Sequence, residues 1–307
     1  MPARRKTRLA RYKNKRTSDY SRYVKLIFVF GVIFLSAYVL FNSKYWNSES
    51  KLSMAIVDGN GDVEVVTFDP TNREIVSIAI PAETQVRVSR QLGVIRIKNV
   101  WQLGVNEKIG GKLLAETIRG HFKFPVVAWG EEKALGLLGG DIPSLINAVM
   151  VPYSTNLTFS DKLNIALFSL SIGNSDKVSV NLAETPYLKR KVLVDGEEGY
   201  VVWRDIPQNI AVIFSDTGVS KGNLKVKIVD ATGEFGVAED VSELLGVLGV
   251  KVSSVSDVGE QDVDCLVKGD LADDVFVNLL ECSRLSSSPE GNFDTEIVLG
   301  RGFAERF

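Results

Sequence analysis

The sequence predicts an α/β domain, then a small α+β sandwich of the split-βαβ (ferredoxin-like) kind, both behind one N-terminal transmembrane helix. Three observations predict this. Short β-type apolar runs alternate with helix-period segments between Met54 and Phe214, the pattern of strands layered against helices. From Leu224 onward the order becomes β-α-β-β-α-β, which is that of a split-βαβ unit. Ahead of both, ten Lys/Arg lead into an apolar run, Leu26–Phe41, interrupted only by Gly31 and Ser36.

Arg4, Arg5, Lys6, Arg8, Arg11, Lys13, Lys15, Arg16, Arg22 and Lys25 face a single acid, Asp19. A basic flank beside a membrane helix stays in the cytoplasm. Residues 1–22 are therefore expected as a cytoplasmic tail and 23–42 as a span through the lipid bilayer, with the bulk of the chain outside. The run is shorter than the roughly 20 residues a span needs, but Arg22 and Lys25 can snorkel and extend it back to Tyr20. No small-x-small cleavage site follows Ser36-Ala37-Tyr38, so a signal-anchor is favoured over a cleaved signal peptide. Phe41, Tyr45 and Trp46 suit the outer interface.

The whole chain has 36 basic and 38 acidic side chains and a net charge of -2. Ten of the basic ones and one of the acidic ones lie in the first 25 residues, so the remainder carries 26 basic against 37 acidic, close to -11. Nucleic-acid binding needs a basic surface, and none is expected outside the tail, which suits anionic headgroups. Cys265 and Cys282 either bridge in an oxidising exterior or stand as two buried apolar side chains. The one histidine, His121, has no cluster of ligands around it for zinc and reads as a capping or surface residue.

Residues 43–53 read as a polar linker. Met54–Val57 and Val63–Phe68 flank Asp58-Gly59-Asn60-Gly61-Asp62, a hairpin signal. Ile75–Ile80 is a third strand, stopped by Pro81. Asn106–Arg119 has helical spacing and ends at Gly120; Phe124–Trp129 is a strand and Glu131–Leu138 a helix broken by Gly139-Gly140. Pro143 opens a helix over Ser144–Met150. Phe159–Leu170 and Ile206–Phe214 are expected as helices, with strands over Val178–Leu182 and Lys191–Val194 between them. Ser220-Lys221-Gly222-Asn223 marks a boundary, giving domains over 54–219 and 222–307. In the second, Leu224–Val229, Val250–Val255, Asp262–Val267 and Thr295–Leu299 are strands. Phe235–Leu248 and Val275–Leu280 are its helices.

The second domain carries Leu224-Lys225-Val226-Lys227-Ile228-Val229-Asp230-Ala231-Thr232-Gly233, then Gly236-Val237-Ala238 and Leu248-Gly249-Val250-Lys251-Val252. This resembles the C-terminal domain of LytR-type envelope proteins, with Asp230-Ala231 in place of the usual Asn-Gly. The first domain resembles a reduced, degenerate LytR–CpsA–Psr (LCP) domain, on Val65–Asn72 with Val76–Pro81, on Ile97-Lys98-Asn99 with Gly104, and on Ala128-Trp129 through Gly139-Gly140. The resemblance implies a bacterial cell-envelope protein acting in cell wall organisation. Typical members transfer glycopolymers from a polyprenyl-phosphate lipid to the wall. Asp58 and Asp62 fall where that family has two early aspartates.

Departures from the family set the expected function. Where the family reads Ser-Ile-Pro-Arg-Asp, this chain reads Ile80-Pro81-Ala82-Glu83-Thr84, and Ala82 cannot make an arginine's bidentate contact with phosphate. Gly61 stands where another arginine is common, and no arginine occurs between Arg119 and Arg190. Phosphoryl-type chemistry needs cations where charge builds, and lysine supplies only a point charge. The expectation is a non-catalytic, membrane-anchored protein that binds a wall glycopolymer, a polyprenyl-phosphate lipid or an envelope protein. The alternative is a Mg²⁺-dependent transferase using Asp58, Asp62 and Glu83, with Asp58 and Asp62 on the metal. The competing reading of both aspartates is turn chemistry, each capping nearby amides. Transcriptional regulation has no DNA-reading element to rest on.

Overall fold

A computed structural model describes residues 22–31, 43–46, 48–221, 224–269 and 274–307. Residues 22–31 are helical (α1). The remainder of the expected span, 32–42, and the basic tail before Arg22 lie outside the described residues. Among the described residues no helix is long and apolar enough to cross a membrane. Residues from Lys44 to Phe307 form a compact unit separate from the N-terminal segment.

That unit is mixed α/β. Its first sheet has the order β6-β1-β2-β3-β7. The centre is an antiparallel meander of β1 (Leu52–Val57), β2 (Val63–Asp69) and β3 (Glu74–Ile80). β6 (Ala128–Gly130) pairs parallel with β1, and β7 (Lys177–Asn181) parallel with β3. Alternating side chains serve two cores, as the two-residue period of a strand dictates. Ala55, Val63, Val65, Ile78 and Ile80 face one core, which is filled by Phe122, Phe124, Tyr187 and Phe214. Phe124 stacks on Phe214 at 4.7 Å. Met54, Ile56, Val66 and Phe68 face the other core with Trp46, Leu145 and Ile165. The sheet is thus covered on both faces. α2 (Val100–Asn106), α3 (Lys112–Phe122) and α6 (Gln208–Phe214) lie on the first, and α4 (Ile142–Met150) and α5 (Phe159–Ser171) on the second.

Several elements differ from their expected bounds, each for a local reason. The helix expected over Asn106–Arg119 is two helices, because Lys108 and Gly110 adopt left-handed φ of 62° and 59° between them. At Gly104 an added Cβ would stand 2.1 Å from the Gly110 carbonyl, so only glycine lets the chain fold back so closely. The Phe124–Trp129 strand shortens to β6 beyond Pro125, which has no amide proton to give a ladder. The Glu131–Leu138 helix is a 3₁₀ helix over Glu132–Leu138. Two hairpins were not foreseen: β4 (Gln85–Arg87) with β5 (Val94–Arg96), and β8 (Leu188–Val192) with β9 (Glu198–Val202). In the 43–53 stretch, expected as a linker, the amides of Lys44, Tyr45 and Trp46 all donate to Asp161 Oδ1. Trp46 is buried, its indole donating to the Ser50 carbonyl and meeting Phe168 edge-on at 5.2 Å. Asp161 also closes a capping box with Thr158 at the start of α5, so one carboxylate fixes a helix end and the entering chain together.

The C-terminal sheet has five strands in the order β11-β10-β14-β12-β13, not the four of a split-βαβ sandwich. β10 (Val226–Ala231) runs parallel to β11 (Val252–Asp257) and to β14 (Thr295–Gly300). β14 runs antiparallel to β12 (Cys265–Lys268), which pairs parallel with β13 (Ser283–Leu285). The last strand takes the centre because all six of its residues are buried, as suits a strand walled on both sides. α8 (Val237–Val247), α9 (Asp274–Leu280) and α10 (Arg301–Arg306) share one core against this sheet. Cys265 and Cys282 form a disulfide within it. A short helix, α7 (Thr217–Lys221), precedes β10.

Candidate functional site

Asp58 and Asp62 bracket the tip of the β1–β2 hairpin. Asp58 Oδ1 accepts the amides of Asn60 at 2.8 Å and Asp62 at 2.9 Å, and its own amide donates to the Asp62 carbonyl. This is Asx-turn geometry. Asp62 reaches across the sheet end: its Oδ1 accepts the Ala82 amide at 2.6 Å. Gly61, at φ 85°, lies against Lys98, where a Cβ would stand 2.8 Å from the lysine Cβ. The hairpin tip is therefore seated on Lys98.

Glu83 joins the same region from the end of β3. Its backbone lies between two neighbours, with Ile97 donating to the Thr84 carbonyl and Tyr200 donating to the Glu83 carbonyl. Its carboxylate pairs with both Arg96 and Lys98. Arg96 is almost fully buried and carries more acids than Glu83 alone. Its Nε and Nη2 both donate to Asp195 Oδ2, at 2.9 and 2.7 Å, and Glu197 stands 3.2 Å from Nη2. Asp195-Gly196-Glu197 is the tip of the β8–β9 hairpin, Gly196 taking φ 82°. The hairpin that sequence patterning missed thus supplies the acids on the site's central cation. The hydrogen bonds from Arg96, with the Glu197 amide, hold the Asp195 carboxyl below the usual range. Burial, reinforced by Asp58 and Asp62, raises Glu64 on β2 despite its bond to Ser77.

The structure thus brings Asp58, Asp62 and Glu83 to one end of the first sheet. It adds Arg96, Lys98, Asp195 and Glu197, which sequence reasoning did not single out. Lys98 stood in a quoted motif; Arg96 lies two residues earlier, opposite Gln85 in the β4–β5 hairpin, and no local pattern marks it. Two cations face five carboxylates, so the local field favours cations over phosphate. Asp58 Oδ1 holds two amides and Asp62 Oδ1 a third, which leaves the second oxygen of each for a cation. Among the described residues no group of three or more His, Cys, Asp or Glu gathers to hold a metal ion. Cavities of about 490 and 570 Å³ open elsewhere, and none of these seven residues lines them.

His121 lies in the last turn of α3 and is half-buried. Its Nδ1 accepts the Arg87 amide at 3.3 Å, while Nε2 is buried without a hydrogen bond. Burial, with Lys123 and Arg87 nearby, lowers it to about 4.

No family model matches the chain, and no curated protein matches it. Solved structures similar to it include the LytR-CPS2A-psr family protein YwtF (TagT) with bound octaprenyl pyrophosphate lipid. That structure is 13% identical, with a TM-score of 0.38 over 66% of this chain and 92% of that one. TagV from B. subtilis is 11% identical, with a TM-score of 0.36 over 50% of this chain and 91% of that one. A transcriptional regulator from Enterococcus faecalis is 11% identical, with a TM-score of 0.40 over 66% and 88%. Likenesses of this extent carry no argument about fold or function. The functional reading rests on the chain's own residues.

Proposed function

We propose that this chain is a membrane-anchored, non-catalytic cell-envelope protein that binds a wall polymer or an envelope partner. The observation that carries the reading is the occupation of Arg96. The buried guanidinium at the centre of the site already holds Glu83, Asp195 and Glu197, and Lys98 shares Glu83. A pyrophosphate brought there would have to displace the chain's own acids while Asp58 and Asp62 repelled it. Ala82, where the resembled family has arginine, adds only a backbone amide, and that amide is held by Asp62. Transition-state charge in such chemistry needs several free, converging donors. The anchor is residues 23–42, with the N-terminus cytoplasmic and the bulk outside. The Cys265–Cys282 disulfide supports an oxidising exterior.

The transferase reading has one observation in its favour, the approach of Lys98 to the Asp62 hairpin. Incubating the full chain with a polyprenyl-pyrophosphate glycan donor, a wall acceptor and Mg²⁺ separates the two. The donor is expected to remain intact with the parent and with Ala82→Arg. Glycan transfer by the parent that Asp62→Ala abolishes would establish the enzyme instead. Orientation is checked by protease treatment of spheroplasts, where the C-terminal domain is expected to be cut before the membrane is opened.

A further inference from the structure

We infer that the cleft between α3, β6 and α9 binds a small organic anion with a flat apolar body. It uses none of the residues of the proposed function and stands or falls separately. The cavity measures about 490 Å³, within the range of small-molecule sites. Ile109, Val127, Trp129 and Val277 form its apolar walls. The Trp129 ring meets Trp101 edge-on at 5.8 Å. Both rings lie so close to Gly111 that a Cβ there would stand 2.4 Å from each. With glycine beneath them, the rings are wedged against backbone, so this wall is formed before any ligand arrives, which lowers the ordering cost of binding.

The polar end of the cleft has a definite sign. Lys44 and Lys112 line it, and Glu281 is the one acid that does. Glu281 is fully engaged: Oε1 accepts from Arg119 Nη2 at 2.7 Å and Oε2 pairs with Lys112. The Lys44 ammonium lies over the Tyr45 ring at 4.8 Å and has no carboxylate partner among the described residues. Two cations and one carboxylate therefore line a single opening, and Lys44 is the cation that the carboxylate does not hold, in a stretch after residue 25 that sums to close to -11. Glu281 is fixed in a left-handed conformation, φ 55°, next to the disulfide-bonded Cys282. The end of α9 is thus tied to β12 on one side and to α3 on the other. A planar apolar body fits against Trp129, with a carboxylate- or sulfonate-type head reaching Lys44.

Naphthalene-2-sulfonate is a suitable probe, titrated calorimetrically into the full chain in nanodiscs with empty nanodiscs subtracted. One saturable site per chain is expected. The neutral analogue 2-naphthalenemethanol is expected to bind about tenfold more weakly, and Lys44→Ala to weaken the sulfonate by about fivefold. Ile109→Trp, which fills the cleft, is expected to abolish binding; if its near-ultraviolet circular dichroism is not native, Val277→Phe takes its place. Absence of saturable binding, equal affinity for the neutral analogue, or unchanged binding in the filled variant would overturn the inference. Competition by inorganic sulfate as strong as by the aromatic anion would also overturn it, since the apolar wall would then contribute nothing.

Discussion

Arg119 shows how much one side chain can carry in this molecule. It is 3% exposed, donates to the Leu279 carbonyl and pairs with Glu281, so a residue of α3 satisfies the end of α9. Removing one partner of a buried pair leaves the other desolvated and alone, at a cost of about 3 kcal/mol. Arg119→Ala is expected to lower the urea unfolding free energy by that amount, and Arg119→Lys to recover only part, because lysine cannot meet the carbonyl and the carboxylate together. A loss below that of an ordinary surface substitution would mean that water replaces the guanidinium. Asp62 is a smaller case. Asp62→Ala leaves the Ala82 amide without its acceptor and is expected to cost about 1–2 kcal/mol, while Asp62→Asn keeps an acceptor and costs less.

At the scale of elements, the disulfide is the clearest device. Cys265 opens β12 and Cys282 precedes β13, 17 residues later, with Cα atoms 4.6 Å apart. Between them lies α9, which buries Phe276, Leu279 and Leu280 in the core and packs Val275 and Val277 against it. Closing a loop of that length stabilises by about 3 kcal/mol if loop entropy dominates. Cys265→Ala with Cys282→Ala is expected to lower the denaturation midpoint accordingly without changing far-ultraviolet circular dichroism, and a midpoint equal to the parent's would show that α9 is held by packing alone. Elements with strong periodicity are legible in the sequence. The β1–β2 hairpin, β3, and the helices α4, α5, α8 and α9 all lie where apolar spacing and turn residues put them. The β4–β5 hairpin is not, since Gln85–Arg87 and Val94–Arg96 are only three residues each, too short for alternation to mark a strand. Of the β8–β9 hairpin only Lys191–Val194 is expected, three residues late, since Lys189–Val192 are exposed. The same gap hid part of the site. Asp58, Asp62 and Glu83 stood in readable turns, but Asp195 and Glu197 reach Arg96 across about a hundred residues of chain, a contact that local pattern does not contain. The central position of β14 was hidden for a similar reason: burial tells that a strand is inside, not which neighbours it takes.

Across the whole molecule, α3 meets α8 and α9 through ionised groups as well as apolar packing, and acid is an informative perturbation of the ionic part. Lys112 and Arg119 on α3 hold Glu281, and Lys123 holds Asp240 on α8. Burial alone would raise the Glu281 carboxyl, but Arg119 and Lys112 outweigh it and bring it down to about 2. A carboxyl depressed on folding contributes stability above its unfolded value, near 4.3, and that contribution disappears as pH falls from there toward 2. Its size is about 2–3 kcal/mol after allowing for partial exposure. His121 acts over a higher window. Burial, Lys123 and Arg87 keep it neutral down to about 4, whereas the unfolded chain takes up the proton near 6.5, so folding is unaffected above that pH and increasingly disfavoured below it. Unfolding free energy is expected to be level between pH 7 and 8, to fall between about 6.5 and 4 through His121, and to go on falling from about 4.3 toward 2 through Glu281. His121→Gln should flatten the upper limb and leave the lower one, and Glu281→Gln should do the reverse while starting from a less stable protein. Urea melts of both variants at a series of pH values check this. If both keep the parent's profile, the acid response comes from the many exposed carboxylates, and the contact of α3 with α8 and α9 is not what fails first.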